Sequence, residues 1–162
     1  MRHTSALALI ALALAVVVGC SPVVSDADVV AVEHAVRAYN EALIKGFVSF
    51  DMNALNLTAT EEQAQRDYYL MAALGEGRVQ MFSTLQSIEF GEVTFPGEGK
   101  ASVTTTETWD YEHVSLDTSE TVRTETGVVY HLQYDLVLQD GRWLVAGVTS
   151  LDETTESQET TQ

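Results

Sequence analysis

Aromatic and ionisable residues alternate along two stretches of the sequence in the spacing of β-strands. Trp109, Tyr111 and His113 occupy every second position of the first stretch, with acidic residues between them. Because successive side chains of a strand point to opposite faces, these three share one face, as Tyr130 and Tyr134 do in the second stretch. Tyrosine and tryptophan combine apolar area with a polar group, so the five could line a pocket for a small apolar ligand. Packing between sheet and helices is the commoner fate of such residues, and both interpretations stay open.

General acid–base catalysis needs an ionisable group that is held away from bulk water and within hydrogen-bond reach of the substrate. His113 is the best candidate, because it shares a face with aromatic residues. Asp110 and Asp135 fall on the opposite, polar faces of their strands. His131, Gln133 and Asp135 occupy every second position of one strand and therefore share a face. We interpret this face as the solvated side of a half-exposed sheet. The sequence therefore indicates no catalytic residue.

Other kinds of chemistry have no signal in this sequence. It contains no Gly-rich phosphate loop, nucleophile elbow, HExxH or CxxC motif. His34 has no second histidine at helical spacing, so we expect no metal site and no cofactor. The net charge is −16, and no cluster of Lys or Arg provides the basic face that nucleic-acid binding requires.

Two helices and a helical turn are predicted ahead of these strands. Apolar residues recur at steps of three and four over residues 29–47, which predicts an amphipathic helix. Its start can be capped by Ser25, Asp26 or Asp28. A short helical turn is expected over residues 51–57. Thr60 and Gln63 fit a reciprocal capping box at the start of a second helix.

The rest of the pattern predicts four strands joined in a meander. Asp140 and Gly141 form a hairpin turn signal, and residues 96–99 form another. The predicted strands cover residues 85–95, 102–114, 122–138 and 142–149. Helices followed by strands predict an α+β domain with two to three N-terminal helices packed on a curved four-stranded antiparallel sheet.

Residues 105–111 and 129–145, together with the first helix, resemble the NTF2-like superfamily. This is the cone-shaped α+β fold of SnoaL-type polyketide cyclases and ketosteroid isomerases, and the last strands are also similar to the C-terminal domain of plastid-division proteins. The resemblance covers most of residues 26–150. It implies that catalytic members hold an Asp or an Asp/His pair inside the cone. It also implies that two copies can pair through the sheet, which would place His131 and Gln133 at a homodimer interface.

The start of the chain resembles a bacterial lipoprotein precursor. Residues 6–18 are an unbroken apolar run, and Val-Val-Gly-Cys at 17–20 resembles a lipobox. We therefore expect a signal peptide over residues 1–19, acylation of Cys20, including palmitate, and a short tether over residues 20–25. The domain would cover residues 26–151, followed by a disordered acidic tail over residues 152–162.

These patterns predict a lipid-anchored protein of the cell membrane or outer membrane, with its domain facing the periplasm or the cell exterior. Its domain is expected to be non-catalytic and to bind a small apolar ligand or an envelope protein partner. The alternative is an enzyme of the isomerase or cyclase type, with His113 and a tyrosine in the cone. That alternative requires His113 and an acid to lie in one deep pocket. A structural spacer without a ligand is a third possibility.

Overall fold

Four long strands form one antiparallel sheet in the meander order β1-β2-β3-β4. The computed structural model describes residues 25–152. The predicted signal peptide, Cys20 and nearly all of the acidic tail lie outside the described residues. The elements are α1 (Asp26–Ser49), a 3-10 turn (Asn53–Leu57), α2 (Glu61–Glu76), β1 (Val79–Gly97), β2 (Lys100–Ser115), β3 (Thr121–Gln139) and β4 (Arg142–Ser150). The predicted α+β class, with helices packed on a curved four-stranded antiparallel sheet, is confirmed.

Helix α1 begins at a complete capping box. The Ser25 hydroxyl accepts a hydrogen bond from the backbone N–H of Asp28, and the Asp28 carboxylate accepts from the backbone N–H of Ser25 at 3.1 Å. Its apolar stripe faces the sheet and includes the buried residues Val32, Val36, Tyr39 and Phe47. Phe50 caps the C-terminal end of the helix, and its left-handed φ of 55° ends the helical backbone there.

Helix α2 has only half of the predicted capping box. The Thr60 hydroxyl accepts from the backbone N–H of Gln63 at 3.4 Å, as expected. The Gln63 side chain does not return to the N-cap, so this part of the prediction is wrong. Gln63 is buried, and its amide instead donates to the Tyr39 hydroxyl and to the Asp67 carboxylate, both at 3.1 Å. Packing against α1 therefore takes the amide away from the helix end.

Strand β1 has three β-bulges along its pairing with β2, and its apolar pattern records two of them. The pairing with β2 shifts by one residue between Leu85 and Ser87, and again between Phe90 and Val93. At each of these bulges, one extra residue on β1 lets side chains three positions apart point to the same face of the sheet. Leu85, Phe90 and Val93 are therefore all at least partly buried. Bulges increase the local twist, which curves the sheet around the helices.

A bulge in β3 changes the face of the first part of that strand. Trp109 pairs with Val128, but Tyr111 pairs with Glu125, so β3 carries one extra residue there. Gly127 takes a φ of 65° in this bulge, and its N–H donates to the Asp110 carboxylate at 2.7 Å. The shift turns Glu125 to the same face as Tyr111.

The core lies between α1 and the concave side of the sheet. Its fully buried members include Val32, Val36, Leu55, Val103 and Val145. A parallel bridge between Ala59 and Val145 joins the segment before α2 to β4. Within residues 25–152, no helix is both long enough and apolar enough to cross a membrane.

Candidate functional site

A cavity of about 540 Å³ opens between the two helices and the concave side of the sheet. All five residues that the sequence marks as pocket candidates line it: Trp109, Tyr111, His113, Tyr130 and Tyr134. Some of these residues belong both to the core and to the cavity wall. Tyr134 and Trp109 are 1% and 7% exposed, so both also pack in the interior, whereas the other three are half-buried.

The aromatic rings form two groups along the cavity wall. The rings of Trp109 and Tyr111 are stacked, with centroids 6.0 Å apart and an interplanar angle of 10°. Tyr130 meets the edge of this stack, with its centroid 6.4 Å from that of Tyr111. Tyr39 of α1 makes an edge contact with Tyr134 at 6.2 Å. Such offset and edge contacts fix the rings as a rigid wall.

Glu107 is a buried acid at this site that the sequence interpretation missed. It is 1% exposed and lines the cavity beside Trp109. The signal was present, because Glu107 precedes Trp109 and Tyr111 at the same spacing of two and therefore shares their face. Asp110 and Asp135 lie on the opposite face as expected, and Asp110 binds Gln86 at 2.7 Å there.

Four neutral donors hold the Glu107 carboxylate. Its Oε1 accepts from the hydroxyls of Tyr134 at 2.8 Å and Thr105 at 3.0 Å, and from the Asn40 amide at 3.2 Å. Its Oε2 accepts from the indole N–H of Trp109 at 2.8 Å. These donors come from α1, β2 and β3, so the carboxylate joins the helix to two strands of the sheet.

The buried tyrosines act as hydrogen-bond donors. Burial, followed by the nearby Glu107 carboxylate, raises the pKa of Tyr134 far above its ordinary value of 10.0. Burial and the Asp67 carboxylate raise the pKa of Tyr39 in the same way, and burial raises that of Tyr111. The phenols therefore stay protonated across the physiological range.

A second polar group lies where α2 meets α1. The Tyr39 hydroxyl donates to the Asp67 carboxylate at 2.9 Å, and the Gln63 amide donates to its other oxygen at 3.1 Å. Burial raises the pKa of Asp67 even though both hydrogen bonds oppose that change. Asp67 is thus a partly buried acid on the cavity wall.

His113 lines the cavity far from Glu107. Its Nδ1 atom is buried and has no hydrogen-bond partner among residues 25–152. Since Glu107 and His113 are six residues apart on β2, their Cα atoms are about 20 Å apart. They therefore cannot form a hydrogen-bonded acid–base pair, although His113 shares the cavity with Glu107, Asp67 and Glu125.

The outward row forms its own contacts away from the cavity. The ring Nδ1 of His131 lies 2.7 Å from Asp152 Oδ1, and the backbone N–H of His131 donates to the other oxygen of Asp152 at 3.2 Å. Gln133 donates to Asp135 at 3.1 Å. His34 is exposed on α1. Within residues 25–152, no three His, Cys, Asp or Glu side chains converge as metal ligands.

Solved structures define the fold class. No family model and no curated protein matches the chain. The intermembrane space region of the chloroplast protein ARC6 superposes with a TM-score of 0.64 at 16% identity, over 73% of this chain and 92% of that one. A ketosteroid isomerase-like protein from Erwinia carotovora atroseptica superposes with a TM-score of 0.51 at 15% identity, over 80% of this chain and 100% of that one. The chain therefore has the NTF2-like fold, as the sequence resemblance implied.

Replacing Asp67 with Asn should change how stability depends on pH. Because the pKa of Asp67 is raised in the folded state, the native protein holds this proton above pH 3.8, where the unfolded chain releases it. The free energy of unfolding therefore falls as the pH rises from the unfolded to the folded pKa. In urea titrations over this range, Asp67→Asn should remove that fall, whereas Glu76→Gln, an exposed acid at the end of α2, should keep it. An unchanged slope for Asp67→Asn would contradict the assignment.

Proposed function

We propose that this protein is a lipid-anchored envelope protein whose NTF2-like domain binds a small, largely apolar ligand in the cavity. The observation that carries the proposal is the convergence of the five aromatic and imidazole side chains on one cavity of about 540 Å³. Small-molecule sites in proteins typically have volumes of about 300–1,000 Å³ and apolar walls with a few polar groups.

The composition of the cavity wall supports a binding role. Leu43 and Phe47 of α1, Met81 of β1 and Leu132 of β3 extend the aromatic wall with aliphatic surface. The Glu107 carboxylate and the Asp67 carboxylate are the polar groups that would orient a ligand. Because Glu107 already accepts four hydrogen bonds, its position is fixed before a ligand arrives, which lowers the entropy cost of binding.

The proposed lipid anchor is supported by the resemblance of residues 17–20 to a lipobox. Residues 21–25 span at most about 18 Å between Cys20 and the start of α1, so the cavity would lie close to the membrane. Removing Arg2 with the signal peptide changes the formal charge from −16 to −17. Anionic headgroups repel such a domain. The lipid would therefore hold the domain near the membrane while charge keeps it off the surface.

A larger side chain that fills part of the cavity should weaken ligand binding. We expect Ser83→Phe, which places a ring beside Tyr111 on the cavity wall, to weaken binding of the neutral probe 2-naphthylmethanol by about tenfold or more. Isothermal titration calorimetry of the full-length protein in maltoside detergent, with protein-free micelles as the blank, measures this affinity. Thr84→Phe is the matched control, because Thr84 is exposed on the other face of the same strand. Equal affinities for the two variants, or no binding by the unmodified protein, would contradict a binding cavity.

The lipid anchor is tested separately from the cavity. When the gene is expressed in bacteria fed with labelled palmitate, the wild-type chain should incorporate the label, because acylation of the Cys20 thiol and amine requires that cysteine. Cys20→Ser should lose the label, and Ser21→Ala should retain it. Label on Cys20→Ser, or none on the wild-type chain, would overturn the anchor.

One observation favours the catalytic alternative. His113 has a buried Nδ1 without a partner among residues 25–152, in a cavity that also holds Asp67. An isomerase would use such an imidazole or carboxyl group to move a proton on the substrate. The large separation of His113 and Glu107 along β2 and the saturation of the Glu107 oxygen Oε1 weigh against it, which is why binding is the first proposal.

This alternative predicts turnover of a β,γ-unsaturated ketosteroid by the full-length protein, followed by the absorbance of the conjugated enone. His113→Gln should then slow the reaction by about a hundredfold, a far larger loss than its effect on the affinity for 2-naphthylmethanol. If the wild-type protein forms no enone, the isomerase alternative is rejected. An equal rate for His113→Gln would remove His113 from the reaction.

A further inference from the structure

The cavity wall has an excess of acidic groups. Apart from four tyrosines, its ionisable residues are three acids, one arginine and one histidine: Asp67, Glu107, Glu125, Arg123 and His113. Arg123 is bound to Glu125 at 2.8 Å, and both side chains are exposed, so this pair lies at the rim and neutralises itself. The interior wall then keeps Glu107 and Asp67.

Glu107 has no cationic partner among the described residues. Among residues 25–152, none of the Lys, Arg or His side chains forms an ion pair with it. Within the part of the chain that the structure describes, its hydrogen bonds come from neutral donors. Neutral donors stabilise the carboxylate without cancelling its charge, so a cation on the adjoining cavity wall would still be attracted to it.

The walls next to Glu107 suit a positive charge as well. Trp109, which donates to Glu107, is stacked on Tyr111, and Tyr130 meets this stack edge-on. The faces of Trp and Tyr rings carry negative potential and attract cations, most strongly where water is excluded. The same residues that give the cavity its apolar area therefore favour a cation near the buried acid.

We propose that the cavity selects an organic cation: a small molecule with an aromatic or aliphatic body and an ammonium group that lies against the aromatic wall beside the buried Glu107 carboxylate. This inference rests on the proposed binding function and names its ligand class. The ammonium group supplies the counter-charge that Glu107 lacks, and the body covers the aromatic and aliphatic wall. An anion of the same shape meets the buried Glu107 carboxylate, which repels it, and is therefore disfavoured.

Three matched probes test the charge preference. They share one ring system and differ in charge: 2-naphthylmethylammonium, 2-naphthylmethanol and 2-naphthoate. Titration calorimetry of the full-length protein in maltoside detergent at neutral pH should show the cation binding about tenfold or more tighter than the alcohol. The anion should not bind measurably. Protein-free micelles correct for partitioning of each probe.

Two variants connect the preference to Glu107. Glu107→Gln should reduce the affinity for the cation to that for the alcohol in the same variant. Because Glu107→Gln could disturb folding, Ser83→Lys supplies an independent check by placing a cation on the cavity wall. Ser83→Lys should lose binding of the ammonium probe, whereas Thr84→Lys, on the exposed face of the same strand, should retain it.

The outcomes separate this inference from the proposed function. If the alcohol binds and the cation binds no better, the cavity is a binding site but the cation proposal is wrong. Tighter binding of the naphthoate, or an intact cation preference in Glu107→Gln and Ser83→Lys, also overturns it. If no probe binds and Ser83→Phe has no effect, the binding function itself fails.

Discussion

The structure depends on one buried carboxylate and the four donors that surround it. Placing an acid in a protein interior is unfavourable unless hydrogen bonds replace the water it loses. Asn40 comes from α1, Thr105 and Trp109 from β2, and Tyr134 from β3, so their bonds to Glu107 are satisfied only when helix and sheet are correctly placed. The same group that fixes the packing of α1 also provides the cavity with its acidic end.

The curvature of the sheet makes room for the cavity. The bulges in β1 and the bulge at Gly127 in β3 twist the strands, so the concave side lies close to α1 at one end and leaves a hollow at the other. At the closed end, Val103, Leu136 and Val145 fill the core. At the open end, aromatic residues line a space that they do not fill. One row of side chains on β2 therefore belongs to the core at its start and to the cavity wall farther along.

Much of the fold could be predicted, because its signals are local. The period of residues 29–47 gave α1, the Asp140–Gly141 turn gave the last hairpin, and alternation placed Trp109 and Tyr134 on one side of the sheet. The site was predicted less completely. Glu107 has the same alternation as Trp109, but a lone glutamate in a threonine-rich strand is ordinarily solvent-facing, and only the donors from α1 and β3 explain its burial.

The sequence by itself determined the order of elements and the aromatic face of the sheet, because both are encoded in neighbouring residues. Tertiary structure alone decided three features. It turned Glu125 toward the cavity through a bulge, drew the Gln63 amide from its helix end to Tyr39 and Asp67, and surrounded Glu107 with donors from separate elements. Each depends on contacts between residues distant in the chain, where burial and hydrogen bonding outweigh local preference.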